Sequence, residues 1–136
     1  MTGKARSILK NNTSINILLV SLVAVILFHR FIIAKIIPFE YAWGGRIKND
    51  FEMYVFETIS LPVNLFLGVV LLIKAGYVKP YFSKKYIDFI LSLFLILIVL
   101  NTVGNLMANT NFEKSFAIVT FVFAILILKI LKTKQI

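Results

Sequence analysis

The chain has 136 residues, 60% of them hydrophobic, and a formal net charge of +9. Soluble globular domains are roughly 45–50% apolar, so this composition excludes a soluble enzyme or binding domain and predicts an integral membrane protein. Cysteine is absent, which excludes a disulfide framework, thiol-dependent redox chemistry and a thiolate metal site.

Four apolar stretches run along the chain, at residues 13–34, 53–73, 87–108 and 115–131. Each is close to the roughly 20 apolar residues that a helix needs to cross a bilayer. Residues 89–100 are apolar at consecutive positions, whereas the strands of a membrane barrel alternate in polarity. We therefore predict an all-α integral membrane four-helix bundle that forms a single domain over residues 1–136.

The first stretch follows three basic residues, Lys4, Arg6 and Lys10, as a secretory signal would. A cleavable signal should show a small-residue site after its apolar run, but here the run continues into His29 and Arg30. We therefore expect an uncleaved first helix. His29 is the only histidine; we interpret it first as an interfacial residue that caps the helix end, and alternatively as a titrating partner of the acid in the second stretch.

The connection between the first two stretches, residues 35–52, is longer than a linker needs. It contains the only tryptophan, Trp43, and the only glycine pair, Gly44 and Gly45. In one interpretation the aromatic residues anchor this segment among lipid head groups and the glycines make a turn. In the other, the segment is a lid over the outer mouth of the bundle, and Arg46 offers its donors to an anion.

Polar and small side chains recur along the second stretch, at Glu57, Ser60, Asn64 and Gly68. Offsets of three, four and four residues place them on one side of a helix, which we expect to face the other helices rather than lipid. Pro62 cannot donate a hydrogen bond to the carbonyl of Thr58. The helix is therefore predicted either to kink there or to be discontinuous, as helices at transporter sites are.

The third stretch shows a similar pattern, at Asn101, Gly104, Asn105 and Ala108. Gly104 and Ala108 form a small-xxx-small pair, which would allow a neighbouring helix to approach closely. We therefore predict that both asparagines face the interior. The connections at residues 74–86 and 109–114 are short, so consecutive helices are predicted to be antiparallel neighbours.

Basic residues are distributed unequally between the two sides of the predicted bundle. Ten of the fifteen lysines and arginines lie in the amino-terminal segment, the connection 74–86 and the carboxyl-terminal tail. The other five share the opposite side with five of the six acids. This asymmetry predicts that both termini are cytoplasmic in a cell inner membrane, with the lipid bilayer as a partner. Because the charges are dispersed, we predict no nucleic-acid partner.

In this orientation the polar residues of the stretches fall in the outer half of the bilayer or at its midplane. With two residues of the connection 35–52, they form a predicted ligand-binding site: His29, Arg30, Glu57, Asn64, Asn101, Asn105, Trp43 and Arg46. One interpretation is a structural plug in which Arg30 pairs with Glu57. The other is an outward-facing site in which Glu57 exchanges a proton or holds a cation.

Enzyme and metal signatures are missing from the sequence. One histidine with scattered carboxylates does not predict a metal site, because zinc requires three or four clustered ligands. No nucleophile motif, metalloprotease motif or phosphate-binding glycine loop is present. We therefore predict no catalytic residue, no metal and no cofactor.

The segment 52–76 begins with an acidic residue, crosses an apolar span and ends at Lys74, Ala75 and Gly76. Together with the chain length and the number of spans, it resembles DoxX-like proteins and other small four-span bacterial membrane proteins. The resemblance implies the four-helix membrane fold and no functional residue. The use of twelve lysines against three arginines, with abundant Ile and Asn, is typical of an AT-rich bacterial genome.

Three classes of function remain, in the following order. A binding or transport protein for a small polar or cationic ligand would need a water-accessible cavity at Glu57 and, in so short a chain, a homo-oligomer. A non-catalytic accessory or immunity-type protein would bind a larger membrane-protein partner through an apolar face such as Phe116, Phe121 and Phe123. A membrane enzyme acting on a lipid or quinone would need acid, base and cationic groups. The sequence offers only four residues for these roles: His29, Glu52, Glu57 and Arg46.

Overall fold

The structure, a computed structural model, describes residues 12–133. Within that range it has no β-strand and four α-helices: α1 (Thr13–Ile33), α2 (Asp50–Ala75), α3 (Lys84–Leu106) and α4 (Asn111–Lys132). Each helix is long and apolar enough to cross a membrane. This finding confirms the all-α four-helix fold and supports a multi-pass membrane protein. Four of the basic residues that predict the orientation lie outside the described residues: Lys4, Arg6, Lys10 and Lys134.

Three of the helices begin three or four residues before the predicted apolar stretches, because their first turns are polar. At the start of α2, Oδ1 of Asn49 accepts a hydrogen bond from the N–H of Glu52 (2.9 Å), and the Glu52 carboxylate accepts one from the N–H of Lys48 (2.9 Å). At the start of α4, Oγ1 of Thr110 accepts one from the N–H of Glu113 (3.2 Å). These caps satisfy N–H groups that have no partner inside the helix.

The end of α2 is at Gly76, as the sequence predicts. Gly76 has a φ of +79°, in the left-handed region that favours glycine. Its N–H donates to the carbonyl of Ile73 (3.0 Å), and the N–H of Tyr77 donates to that of Leu72 (3.0 Å). The two bonds satisfy carbonyls at the helix end, so the chain can turn sharply toward α3.

α2 continues through Pro62 as a single helix, so the interpretation of a discontinuous helix is wrong. Side chains on either side of the proline add hydrogen bonds within the helix. Oγ of Ser60 donates to the carbonyl of Phe56 (2.9 Å), and Nδ2 of Asn64 donates to the carbonyl of Ser60 (2.8 Å). α2 therefore supports Glu57 and Asn64 on one continuous backbone.

The helices pack in a ring, in which α1 contacts α2, α2 contacts α3, α3 contacts α4 and α4 contacts α1. The short connections 76–83 and 107–110 make consecutive helices antiparallel, as predicted. We call one end of the bundle the loop end. It holds the last turn of α1, the first turn of α2, and the connection between them, residues 34–49, which we call the α1–α2 loop. α3 ends and α4 begins at this same end.

Two apolar clusters lie along the bundle. The larger occupies the half remote from the loop end and takes a fully buried side chain from every helix: Leu18, Leu71, Leu91 and Ile127. The smaller lies at the loop end and consists of Ile32, Ala42, Ile47 and Met53. Because two of its members belong to the α1–α2 loop, this loop packs back onto the helix ends. Glu57 lies on α2 between the two clusters.

The aromatic face predicted for a partner protein is not a single surface. Phe121 is exposed, Phe116 is half-buried, and Phe123 is buried in the larger apolar cluster. Two residues along an α-helix correspond to a rotation of about 200°, so Phe121 and Phe123 lie on opposite sides of α4. The prediction of one exposed face is therefore wrong.

Candidate functional site

Glu57 is the centre of a polar cluster at the loop end. Its side chain is fully buried, with 0% of its surface exposed. Oε2 of Glu57 lies 2.6 Å from Nδ1 of His29 on α1, and Oε1 accepts a hydrogen bond from Nε1 of Trp43 in the α1–α2 loop (3.2 Å). We call these three residues the Glu57 cluster. It joins two helices and the loop through one carboxylate.

The contact between His29 and Glu57 requires a shared proton. At 2.6 Å, a proton lies between Nδ1 and Oε2, donated either by the imidazole to the carboxylate or by the carboxylic acid to the imidazole. The two side chains can hold one proton or two between them. With two protons the pair is neutral overall, and with one proton it carries a negative charge.

Trp43 reaches Glu57 from an unusual backbone conformation. Its φ is +61°, in the left-handed region that a bulky residue rarely adopts and that costs about 1–3 kcal/mol. Two contacts hold it there: the hydrogen bond to Glu57 and packing of the indole against Phe56, with ring centroids 4.9 Å apart. The Trp43 side chain is 37% exposed. The loop therefore covers Glu57 with a residue that also reaches the surface.

A series of aromatic contacts surrounds the cluster on the side of α4. Phe28 meets the edge of His29 (6.0 Å between ring centroids) and packs against Phe116 (5.2 Å). Phe116 contacts Phe112, and Phe112 contacts Tyr41 of the α1–α2 loop, both at 5.2 Å. These rings connect α1, α4 and the α1–α2 loop.

Glu113 is a second buried carboxylate at the loop end, with 2% of its surface exposed. Its Oε2 lies 2.7 Å from Oγ1 of Thr110, while Oε1 has no hydrogen-bond partner among the described residues. In the sequence, Glu113 is one of the five acids on the predicted outer side, and its burial was not predicted. A threonine followed three residues later by a glutamate, before an apolar run, is the pattern that could have identified it as part of a helix cap.

Arg30 does not contact Glu57, so the predicted ion pair between them is wrong. Arg30 is exposed, and His29 takes the position beside Glu57. One residue along a helix corresponds to a rotation of about 100°, so His29 and Arg30 cannot both face α2. The favoured interpretation of His29 as a helix cap is also wrong, because Ala34 ends α1 with backbone hydrogen bonds. His29 does contact Glu57, as the alternative requires, and its titration there stays a prediction.

The three asparagines of the predicted site do not join the cluster. Asn64 is half-buried and donates to its own helix, and Asn105 is half-buried near the end of α3. Asn101 is exposed, so the prediction that it faces the interior is wrong. None of the hydrogen bonds between described residues connects these asparagines to Glu57. The neighbour of Asn101, Thr102, faces α4 instead, with its Oγ1 2.8 Å from Oγ1 of Thr120.

Gly104 is exposed as well, and a Cβ added there would meet nothing within 4 Å. The predicted close approach at Gly104 and Ala108 is therefore wrong at the glycine. On α2 the predicted stripe is confirmed, since Ser60 is buried and Gly68 faces α1, where an added Cβ would lie 3.4 Å from Leu22. The difference follows from the rotation of each helix about its axis, which the spacing of small residues does not determine.

The base of the α1–α2 loop carries an exposed ion pair. Nζ of Lys35 lies 2.5 Å from Oδ2 of Asp50, joining the end of α1 to the start of α2. The hydrogen bond to Asp50 and its charge raise the pKa of Lys35 above its ordinary value. The ammonium of Lys35 therefore stays charged at neutral pH, and the pair is lost in alkali as pH rises through that raised pKa. Arg46, the other predicted site residue of the loop, is exposed and does not reach the Glu57 cluster.

A groove of about 670 Å³ opens on the surface between α1 and α2 near the loop end. Arg30 lines it with apolar side chains, among them Leu27, Phe31 and Leu61, but Glu57 does not. Within residues 12–133, no group of three or more His, Asp or Glu side chains is gathered as metal ligands.

Comparison of the chain with protein-family models, with curated proteins and with solved structures finds no match. The resemblance to DoxX-like proteins therefore stays a prediction. What the protein does must be argued from the Glu57 cluster itself.

Proposed function

We propose that the protein binds or transports a small monovalent cation, in exchange for a proton, at the Glu57 cluster. It lies in a bacterial inner membrane with both termini in the cytoplasm and the loop end outside. The arrangement of His29, Trp43 and Glu57 is the closed state of this outward-facing site.

The observation that carries the proposal is the identity of the groups that hold Glu57. An arginine would keep the carboxylate ionised permanently and would fix it as a structural element. Glu57 instead shares a proton with a histidine, the side chain best suited to proton exchange at neutral pH. Its second oxygen is bound by Trp43, a half-exposed residue of a loop. Both partners can release the carboxylate without unfolding a helix.

Exchange of a proton for a monovalent cation leaves the charge of the buried cluster unchanged. The neutral pair of His29 and Glu57 loses one proton, and the cation takes the place of that proton beside the carboxylate oxygens. Constant charge is important because burying an uncompensated ion costs several kcal/mol. Carboxylate oxygens are suitable ligands for hard cations.

The accessory function is the second candidate, and one observation favours it. Glu57 is fully buried, and both of its oxygens already have partners. A permanently closed cluster would serve only to hold α1, α2 and the loop in register. The two candidates differ in whether Glu57 ever exchanges its proton.

The proposal is tested by proton release from proteoliposomes. Purified protein is reconstituted with a pH-sensitive dye in the lumen, and lithium, sodium, potassium or tetramethylammonium is added outside. We expect at least one of these cations to drive proton movement in the wild type, and Glu57→Gln to lower its rate at least tenfold.

Glu52→Gln is the matched control, since Glu52 lies on the same helix but binds only the N–H of Lys48. This variant should behave as the wild type does. If none of the four cations moves protons in wild-type vesicles that contain folded protein, the transport proposal is wrong and the accessory function replaces it.

A further inference from the structure

The groove between α1 and α2 combines an apolar wall with a single cation. Its apolar residues include Leu27 and Phe31 on successive turns of α1, and Leu61 on α2. Leu27 and Phe31 are both exposed on the outer surface of the bundle. In a membrane, this surface is covered by acyl chains. The groove is therefore open to lipid along its length.

Among residues 12–133, Arg30 is the only charged residue that lines the groove, and no carboxylate in that range forms an ion pair with it. The neighbouring acids of the loop end have other partners. Glu57 binds His29 and Trp43, and Asp50 binds Lys35. Arg30 thus carries a permanent positive charge for which this part of the chain provides no counter-ion.

The depth of Arg30 matches the depth of lipid head groups. It lies in the last turn of α1, one turn from the end of a helix long enough to cross a bilayer. Leu27 lies one turn closer to the bilayer midplane. The groove therefore presents a cation at head-group depth, with Leu27 and Leu61 below it. A guanidinium binds phosphate oxygens through two parallel hydrogen bonds. An apolar groove without a guanidinium could not select a phosphate group.

We propose that this groove binds one anionic phospholipid, with its phosphate on Arg30 and an acyl chain along Leu27, Phe31 and Leu61. A zwitterionic lipid fits the apolar wall equally well, but its own cation offsets the attraction between its phosphate and Arg30. The site is separate from the Glu57 cluster and does not depend on the proposed exchange.

Native mass spectrometry of the detergent-purified chain tests the proposal. The protein is mixed with equimolar phosphatidylglycerol and phosphatidylcholine of the same acyl chains, and retained lipids are counted at rising collision energy. We expect one phosphatidylglycerol to be retained preferentially by the wild type. Arg30→Gln should lower that retention at least tenfold.

Arg46→Gln is the matched control, because it removes the same charge from an exposed arginine of the α1–α2 loop. It should retain the lipid as the wild type does. Ala34→Phe, which fills the groove without changing its charge, should also lose the lipid, and it replaces Arg30→Gln if that variant does not fold. Equal losses in the two arginine variants, or equal retention of both lipids by the wild type, would overturn the proposal.

Discussion

The carboxylate of Glu57 has two hydrogen-bonding partners, which come from different parts of the chain. His29 contacts one carboxylate oxygen from α1, and Trp43 contacts the other from the α1–α2 loop. Because Glu57 is fully buried, a residue without polar atoms at this position would leave both groups without a partner. A buried donor or acceptor that loses its partner costs roughly 1–3 kcal/mol.

Stability should therefore respond to Glu57 in a way that depends on the replacement. Glu57→Gln keeps an acceptor for Trp43 and a donor for His29, so we expect its free energy of unfolding to stay within about 1 kcal/mol of the wild type. Glu57→Leu removes both and should lower that free energy by about 2 kcal/mol or more. Unfolding by SDS in detergent micelles, followed by circular dichroism, measures the difference.

Asn101→Leu is the control for this comparison, because it also replaces a polar residue within a helix. Asn101 is exposed and has no hydrogen bond to the cluster, so the free energy of unfolding should remain unchanged within about 0.5 kcal/mol or rise. A loss at Asn101 as large as that at Glu57 would contradict the assignment of the two positions.

The sequence was sufficient to predict Glu57 as the centre of a polar site, because an acid in an apolar helix needs a partner. It was not sufficient to choose between His29 and Arg30 as that partner. The two are adjacent in sequence and differ by about 100° around α1. Only the packing of α1 against α2 decides which of them faces Glu57. The same uncertainty of rotation led to the wrong prediction for Asn101 on α3.

At the scale of elements, the α1–α2 loop is the part of the fold that connects the buried site to the surface. It packs on the helix ends through Ala42 and Ile47, and it reaches Glu57 through Trp43. The left-handed backbone of Trp43 costs about 1–3 kcal/mol, which its contacts with Glu57 and Phe56 must offset.

The helices themselves were predictable from apolar length, and their caps explain the extra residues at the starts of α2 and α4. The loop was predictable only as a choice between a lid and an interfacial anchor. Trp43 is exposed and also bonded to Glu57, which is compatible with either interpretation, so both stay predictions. Trp43 and Glu57 lie 14 positions apart in the sequence. Trp43 reaches Glu57 with a positive φ, which amino-acid composition does not predict for a tryptophan.

At the scale of the whole molecule, the antiparallel ring brings His29, Trp43, Glu57 and Glu113 to one end of the bundle. The opposite end is held by different contacts: Nδ2 of Asn12 donates to the carbonyl of Ala75 (2.9 Å), and Lys74 pairs with Asp88. The distribution of basic residues gives the orientation that we propose, with the loop end outside.

The absence of cysteine makes this orientation directly measurable. Lys48→Cys places a single thiol in the α1–α2 loop, and Lys79→Cys places one in the connection between α2 and α3. Both positions are exposed. In intact cells, a membrane-impermeant maleimide should label Lys48→Cys and should label Lys79→Cys only after the cells are opened. The reverse pattern would show that the loop end faces the cytoplasm.

The central claim is that Trp43 covers a carboxylate that exchanges its proton for a cation. Since Trp43 is the only tryptophan, its fluorescence in proteoliposomes reports this cover without labelling. We predict that the cation active in proton release increases quenching of Trp43 by acrylamide in the wild type, because it displaces the indole from Glu57, and leaves Glu57→Gln unchanged. Quenching that stays the same in the wild type with every cation tested would contradict the claim and identify the Glu57 cluster as a permanent structural plug.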